Sequence, residues 1–117
     1  MENKTTQEKA LELARLIQDG KGEDLAVIDI SELNSWTDFF VIATVSSSVQ
    51  SQGIQKQIKD ALKGLDLEVH KTNNKQKESE DWNLIDLGNI VVHLMSKEAR
   101  EFYDLEKLWH AGKRLEF

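Results

Sequence analysis

Three pairs of carboxylates stand one residue apart in this chain: Asp66-x-Glu68, Glu78-x-Glu80 and Asp104-x-Glu106. Such pairs can hold divalent metal ions that activate water or a phosphoryl group. Charged residues make up 31% of the sequence, so pairs at this spacing also arise by chance. The histidines, His70, His93 and His110, share no H-x-H or H-x-x-x-H spacing, and one strong metal site is not expected. His93 lies between Val92 and Leu94, where a hydrogen-bonded strand histidine is the ordinary reading. Ser46, Ser47 and Ser48 fall at a strand-to-helix junction, and a helix N-terminus there could attract an anion. Simple helix capping accounts for the same serines without a ligand. With no Cys there is no thiol nucleophile, thiolate zinc site or disulfide, in keeping with a reducing cytosol. No catalytic residue, cofactor or metal is predicted.

The residues from Trp82 to Trp109 suggest contact rather than catalysis. Tyr103 and Trp109 stand among charges, the usual composition of a protein–protein interface. A net charge of −6 argues against a direct reader of nucleic acid, whose footprint is normally basic. Lys71, Lys75 and Lys77 read as a solvated surface. The polar N-terminus has no secretory h-region, and the longest apolar run, Phe39 to Ala43, is too short for a membrane span. A soluble single domain over residues 1–117 follows.

Local signals place the elements. Thr5-Thr6-Gln7-Glu8 is a capping box, and Ala10, Leu13, Ala14 and Ile17 follow at helical spacing up to Gly20. Leu25 to Ile30 and Phe39 to Val45 read as buried strands. A helix with the stripe Ile54, Ile58, Ala61 and Leu62 ends at Gly64, and Leu67 to His70 is a short strand. Thr72 to Glu80 is a loop. Trp82 to Leu87 and Ile90 to Met95 form a hairpin with Gly88 first in a two-residue turn. Ser96 caps a final helix that begins near Lys97. The order α-β-β-α-β-β-β-α predicts an α/β, mixed α+β fold with a five-stranded mixed sheet flanked by helices. The step from Phe39 to His70 predicts a parallel pair.

Two blocks carry a resemblance. Trp36-Thr-Asp38-Phe39-Phe40-Val41-Ile42-Ala43-Thr44 with Ser47-Ser48 and Gln50 resembles the first motif of the ribosomal silencing factor family, RsfS or iojap. Trp82-x-Leu84-Ile85-Asp86-x-Gly88-x-Ile90-Val91-Val92-His93 with Glu98-x-Arg100-x-Phe102-Tyr103-x-Leu105-Glu106-x-Leu108-Trp109 resembles its second. Val45 stands where the family has Gly, Asn89 where Asp is usual, and a Glu-Gly pair is replaced near Lys71–Asn74.

The resemblance implies a nucleotidyltransferase-like core without that enzyme's chemistry. It also implies a cytoplasmic protein, from a family whose members tend to form homodimers, that binds the large ribosomal subunit through ribosomal protein L-fourteen. Blocking small-subunit joining would repress translation under nutrient limitation. The alternative is a metal-dependent nucleotidyltransferase on the same fold. That chemistry needs a Gly-Ser dipeptide ahead of a metal-binding carboxylate pair, and none of the six Gly precedes Ser.

On this basis the expected partner-binding set is Trp82, Asp86, His93, Glu98, Arg100, Tyr103, Leu105, Glu106 and Trp109. Trp82 and Asp86 share a strand face, and an unpaired buried carboxylate would be costly, which turns that face outward. Phe102, Leu105 and Trp109 keep helical spacing and should pack on the sheet, leaving Tyr103 exposed.

Overall fold

The computed structural model describes residues 4–33, 35–72, 82–108 and 110–115. Helix α1 (Thr6–Asp19) begins at the capping box: Glu8 N–H donates to Thr5 Oγ1 at 3.1 Å, and Thr5 N–H to Glu8 Oε1 at 2.7 Å. Strands β1 (Glu23–Asp29) and β2 (Phe39–Thr44) follow, then helix α2 (Ser48–Leu62) and the two-residue β3 (Lys71–Thr72). The hairpin β4 (Trp82–Asp86) and β5 (Ile90–Met95) leads into helices α3 (Lys97–Tyr103) and α4 (Leu105–Leu108) and strand β6 (Lys113–Leu115).

The mixed α+β architecture is as expected, with one more strand than the five read from the sequence. The strands form one sheet in the order β3-β4-β5-β2-β1-β6. Its centre is the parallel pair β2·β5, registered Phe39↔Ile90 through Thr44↔Met95. Both strands are buried along their whole length, which explains their near-continuous apolar sequences, broken only by Thr44 and His93.

Alternation then sorts the side chains onto two faces. Phe39, Val41, Ala43, Ile85, Ile90, Val92 and Leu94 meet Leu13, Ala14 and Ile17 of α1 and Ile54, Ile58 and Leu62 of α2. Ala26, Ile28, Phe40, Ile42, Val91 and Met95 form a second core with Ala99, against which Trp82, Leu84 and Leu105 pack.

Three expectations are corrected. The predicted strand Leu67–His70 is extended chain whose ladder pairing begins only at Lys71, antiparallel to β4. The parallel partner of β2 is therefore β5, reached through the hairpin, because a two-residue edge strand gives the crossover too little to pair with. The final helix breaks at Asp104, whose backbone is left-handed (φ 46°, ψ 57°), a conformation Asp tolerates better than most residues. Beyond α4 the chain returns as β6 along β1. Gly112 permits that close pass, since a Cβ there would sit 2.7 Å from Ile28 Cγ2. Of the loop expected over Thr72–Glu80, Thr72 belongs to β3 and the rest, with Lys75 and Lys77, lies outside the described residues.

Candidate docking surface

The second face of the sheet carries a row of rings. Trp36, in the loop before β2, lies 5.9 Å from Phe40, and Phe40 meets His93 edge-on at 4.6 Å. His93 is 5.8 Å from Trp82, Trp82 is 4.6 Å from Tyr103, and Tyr103 meets Phe102 edge-on at 5.0 Å. The elements dictate this row. Phe40 on β2, His93 on β5 and Trp82 on β4 point to one face by strand alternation, and the end of α3 brings Tyr103 over Trp82. Edge-to-face and tilted pairs at these distances are favourable ring geometries.

Exposure splits the row into a floor and a rim. Phe40 and His93 are buried, and Trp82 is partly buried. Trp36, Tyr103 and Phe102 are 55%, 51% and 81% exposed. They are three of the six large apolar side chains exposed among the described residues. A cluster of this kind marks an interaction surface more often than a lone exposed apolar residue does.

His93 does not reach the surface, which corrects the expectation that it contacts a partner. Its Nδ1 accepts a hydrogen bond from Trp82 Nε1–H at 3.0 Å, so the neutral ring carries its proton on Nε2. Nε2 is buried with no hydrogen-bond partner among the described residues. Burial penalises the charged form and pushes the imidazole pKa down to about 4. His93 is therefore neutral at physiological pH and acts as the post on which Trp82 is oriented.

The other expected residues divide. Tyr103 is exposed as anticipated, and Glu98 is exposed in the first turn of α3. Leu105 is partly buried against the second core. Asp86 stands at the far end of β4 from Trp82, roughly 13 Å along the strand. It closes the hairpin instead of joining the rings, its Oδ1 accepting Gly88 N–H at 2.8 Å. Arg100 and Glu106 face each other across the break at Asp104. Trp109 lies outside the described residues. Phe102, expected on the sheet, projects into solvent because the helix stops one residue later, at Tyr103. The signal for that stop was Asp104 itself, a residue suited to a left-handed helix end.

The remaining candidates have structural roles. Ser47 Oγ accepts Gln50 N–H at 3.1 Å and caps α2. The Gln50 side chain accepts from Ser46 N–H and Oγ–H, and donates to the carbonyls of Gly20 and Lys21. One amide thus ties the start of α2 to the end of α1. Val45 is buried in the first core and donates its N–H to Met95 O at 2.8 Å, so it serves as a core residue and extends the β2–β5 pairing. Asp66 and Glu68 are exposed in the turn after α2, and Glu78 and Glu80 lie outside the described residues. Among the described residues no group of three or more His, Asp or Glu could hold a metal ion, and no helix is long and apolar enough to cross a membrane.

Comparison with known proteins gives one family. A family model described as "Ribosomal silencing factor during starvation" matches residues 3–117. The ribosomal silencing factor RsfS of Treponema pallidum is 39% identical over 98 residues, covering 83% of this chain and 86% of that protein. The protein of the same name from Bacillus subtilis is 35% identical over 96 residues, covering 82% and 80%. A crystal structure of a protein from Chromobacterium violaceum superposes with a TM-score of 0.80 at 30% identity, covering 97% of this chain and 92% of that one.

Proposed function

Because this chain belongs to the family of ribosomal silencing factors, we propose that it binds the large ribosomal subunit through ribosomal protein L-fourteen. Bound there, it blocks small-subunit joining by occupying space and so represses translation when nutrients are scarce. The observation that carries this reading is the row of rings with exposed ends, Trp36 against Phe40 at one end and Tyr103 against Trp82, with Phe102 beside it, at the other. Rings partly held by neighbouring rings lose less freedom on docking, and Trp and Tyr dominate the energetics of many interfaces.

Size is compatible with the role. A standard interface takes ~800 Å² from each partner. The chain exposes 7496 Å², so about a tenth of its surface would suffice. In this reading Trp82, Tyr103, Phe102 and Trp36 are the anchors, with Glu98 at the rim. Leu105 supports them from below, and Trp109 belongs to the same set. The protein works in the cytoplasm, without bond chemistry, and self-associates as a homodimer. Sedimentation velocity on the free protein tests the last point.

Co-sedimentation with purified large subunits tests the whole. Tyr103→Ala and Trp82→Ala should each weaken binding about tenfold or more while circular dichroism stays native. Native-like binding by both folded variants would remove this face from the contact. A wild-type chain that does not sediment with large subunits would sink the function itself.

A further inference from the structure

Arg100 and Glu106 entered as contact residues, and their surroundings indicate a different task. Arg100 Nε donates to Glu106 Oε1 at 3.0 Å, bridging α3 to α4 across the left-handed residue Asp104. Arg100 Nη1 donates to Thr44 Oγ1 at 3.0 Å, anchoring the same guanidinium to the end of β2. Glu106 Oε2 pairs with Arg114 Nη1 of β6 at 3.3 Å. Only 11% of the Arg100 side chain and 28% of the Glu106 side chain is exposed. The Arg100 hydrogen bond and charge hold the Glu106 carboxyl below its ordinary pKa, so the pair is ionised at neutral pH. Phe102 and Tyr103 are the two residues immediately before the break that this pair spans.

We propose that Arg100 and Glu106 are positioning residues: their cross-brace from β2 through α3 and α4 to β6 sets the angle of the elbow at Asp104 and so presents Tyr103 over Trp82, with Phe102 beside it. The proposal rests on the docking function above for its meaning, but its geometry can be read without a ribosome. A planar guanidinium suits the task because it donates in two directions from one rigid plane. Breaking the pair leaves the elbow held by the Asp104 N–H to Arg100 O bond and the Lys107 N–H to Asp104 Oδ1 bond at 3.3 Å. Those bonds close the turn locally, and Leu105 packing on the second core is then the remaining hold on the sheet after the break.

The experiment uses the full chain carrying Glu106→Ala, followed by NMR and by large-subunit binding. Cross-peaks between the Tyr103 and Trp82 rings should lose at least about half their intensity, while overall amide dispersion stays native. Affinity should fall about tenfold, and adding Tyr103→Ala should cost little more, because both changes remove one and the same contact. Undiminished ring cross-peaks would overturn the proposal. So would losses that multiply in the double variant, since that is how Glu106 would behave if it touched the partner itself. If the wild-type chain fails to bind large subunits, the proposed function falls and the ring cross-peaks still decide this one. Should Glu106→Ala unfold, Arg100→Lys is read by the same signs, as it keeps the charge but loses the planar fork that reaches Glu106 and Thr44 together.

Discussion

A histidine enclosed on the apolar face of a sheet has two ring nitrogens to satisfy, and in His93 only Nδ1 has a hydrogen-bond partner among the described residues. The folded protein keeps this ring neutral down to about pH 4, whereas an unfolded chain takes up the proton near the ordinary value of 6.5. Between those values the unfolded state binds more protons, so stability from this group rises with pH. It is fully present above about pH 6.5 and is lost as pH falls toward 4. The difference corresponds to roughly 3 kcal/mol. Urea unfolding at pH 7 and pH 4 should therefore show a steeper loss in the wild type than in His93→Gln, which cannot take up that proton. Parallel losses would assign the acid sensitivity to other groups. The residue type and its strand were legible in the sequence. Its burial was not, because alternation alone says that His93 and Trp82 share a face without saying what covers it.

At the scale of elements, connections built from one or two side chains should respond sharply to substitution. The Gln50 amide makes four hydrogen bonds that join the β2–α2 turn to the α1–β1 turn. Gln50→Ala should cost on the order of 2 kcal/mol, since it strips partners from several backbone groups at once. A thermal midpoint unchanged from wild type would show that water replaces those bonds without loss. Gly88 begins the hairpin turn with φ +90°, and a Cβ there would also come within 3.1 Å of His70 Nε2. Gly88→Ala should destabilise by about 1–2 kcal/mol in urea titration. Wild-type stability in that variant would argue that the turn adopts another form. The capping box at Thr5, the serine caps and this hairpin could be foreseen because each is encoded within a few residues. The partner of β2, the edge strand β6 and the elbow at Asp104 could not. Strand pairing across tens of residues leaves no local period, and Lys113–Leu115 is too short and too polar to announce a strand.

For the molecule as a whole, the charge of −6 sets an expectation about kinetics. Exposed Glu98, Glu101 and Asp104 flank Phe102 and Tyr103, so an approaching basic protein surface would be steered toward the rings. Raising ionic strength should slow association with large subunits markedly and change dissociation much less. Stopped-flow measurements at low and high salt check this, and an insensitive association rate would count against an electrostatic approach. The family was legible through two motif blocks, while the proposed docking rim was only half so. Trp82 and Tyr103 stood out, but Phe102 and Trp36 joined them only once the elbow and the loop before β2 were placed. The parallel centre of the sheet has a further consequence for assembly. Phe39 and Ile90 must meet across the whole of α2 and the hairpin that follows it. The β4–β5 ribbon, closed by two residues, zips in microseconds and supplies a ready template. The antiparallel β1–β2 pair must then find it from a long tether, and that encounter is expected to be the slow step of self-organisation.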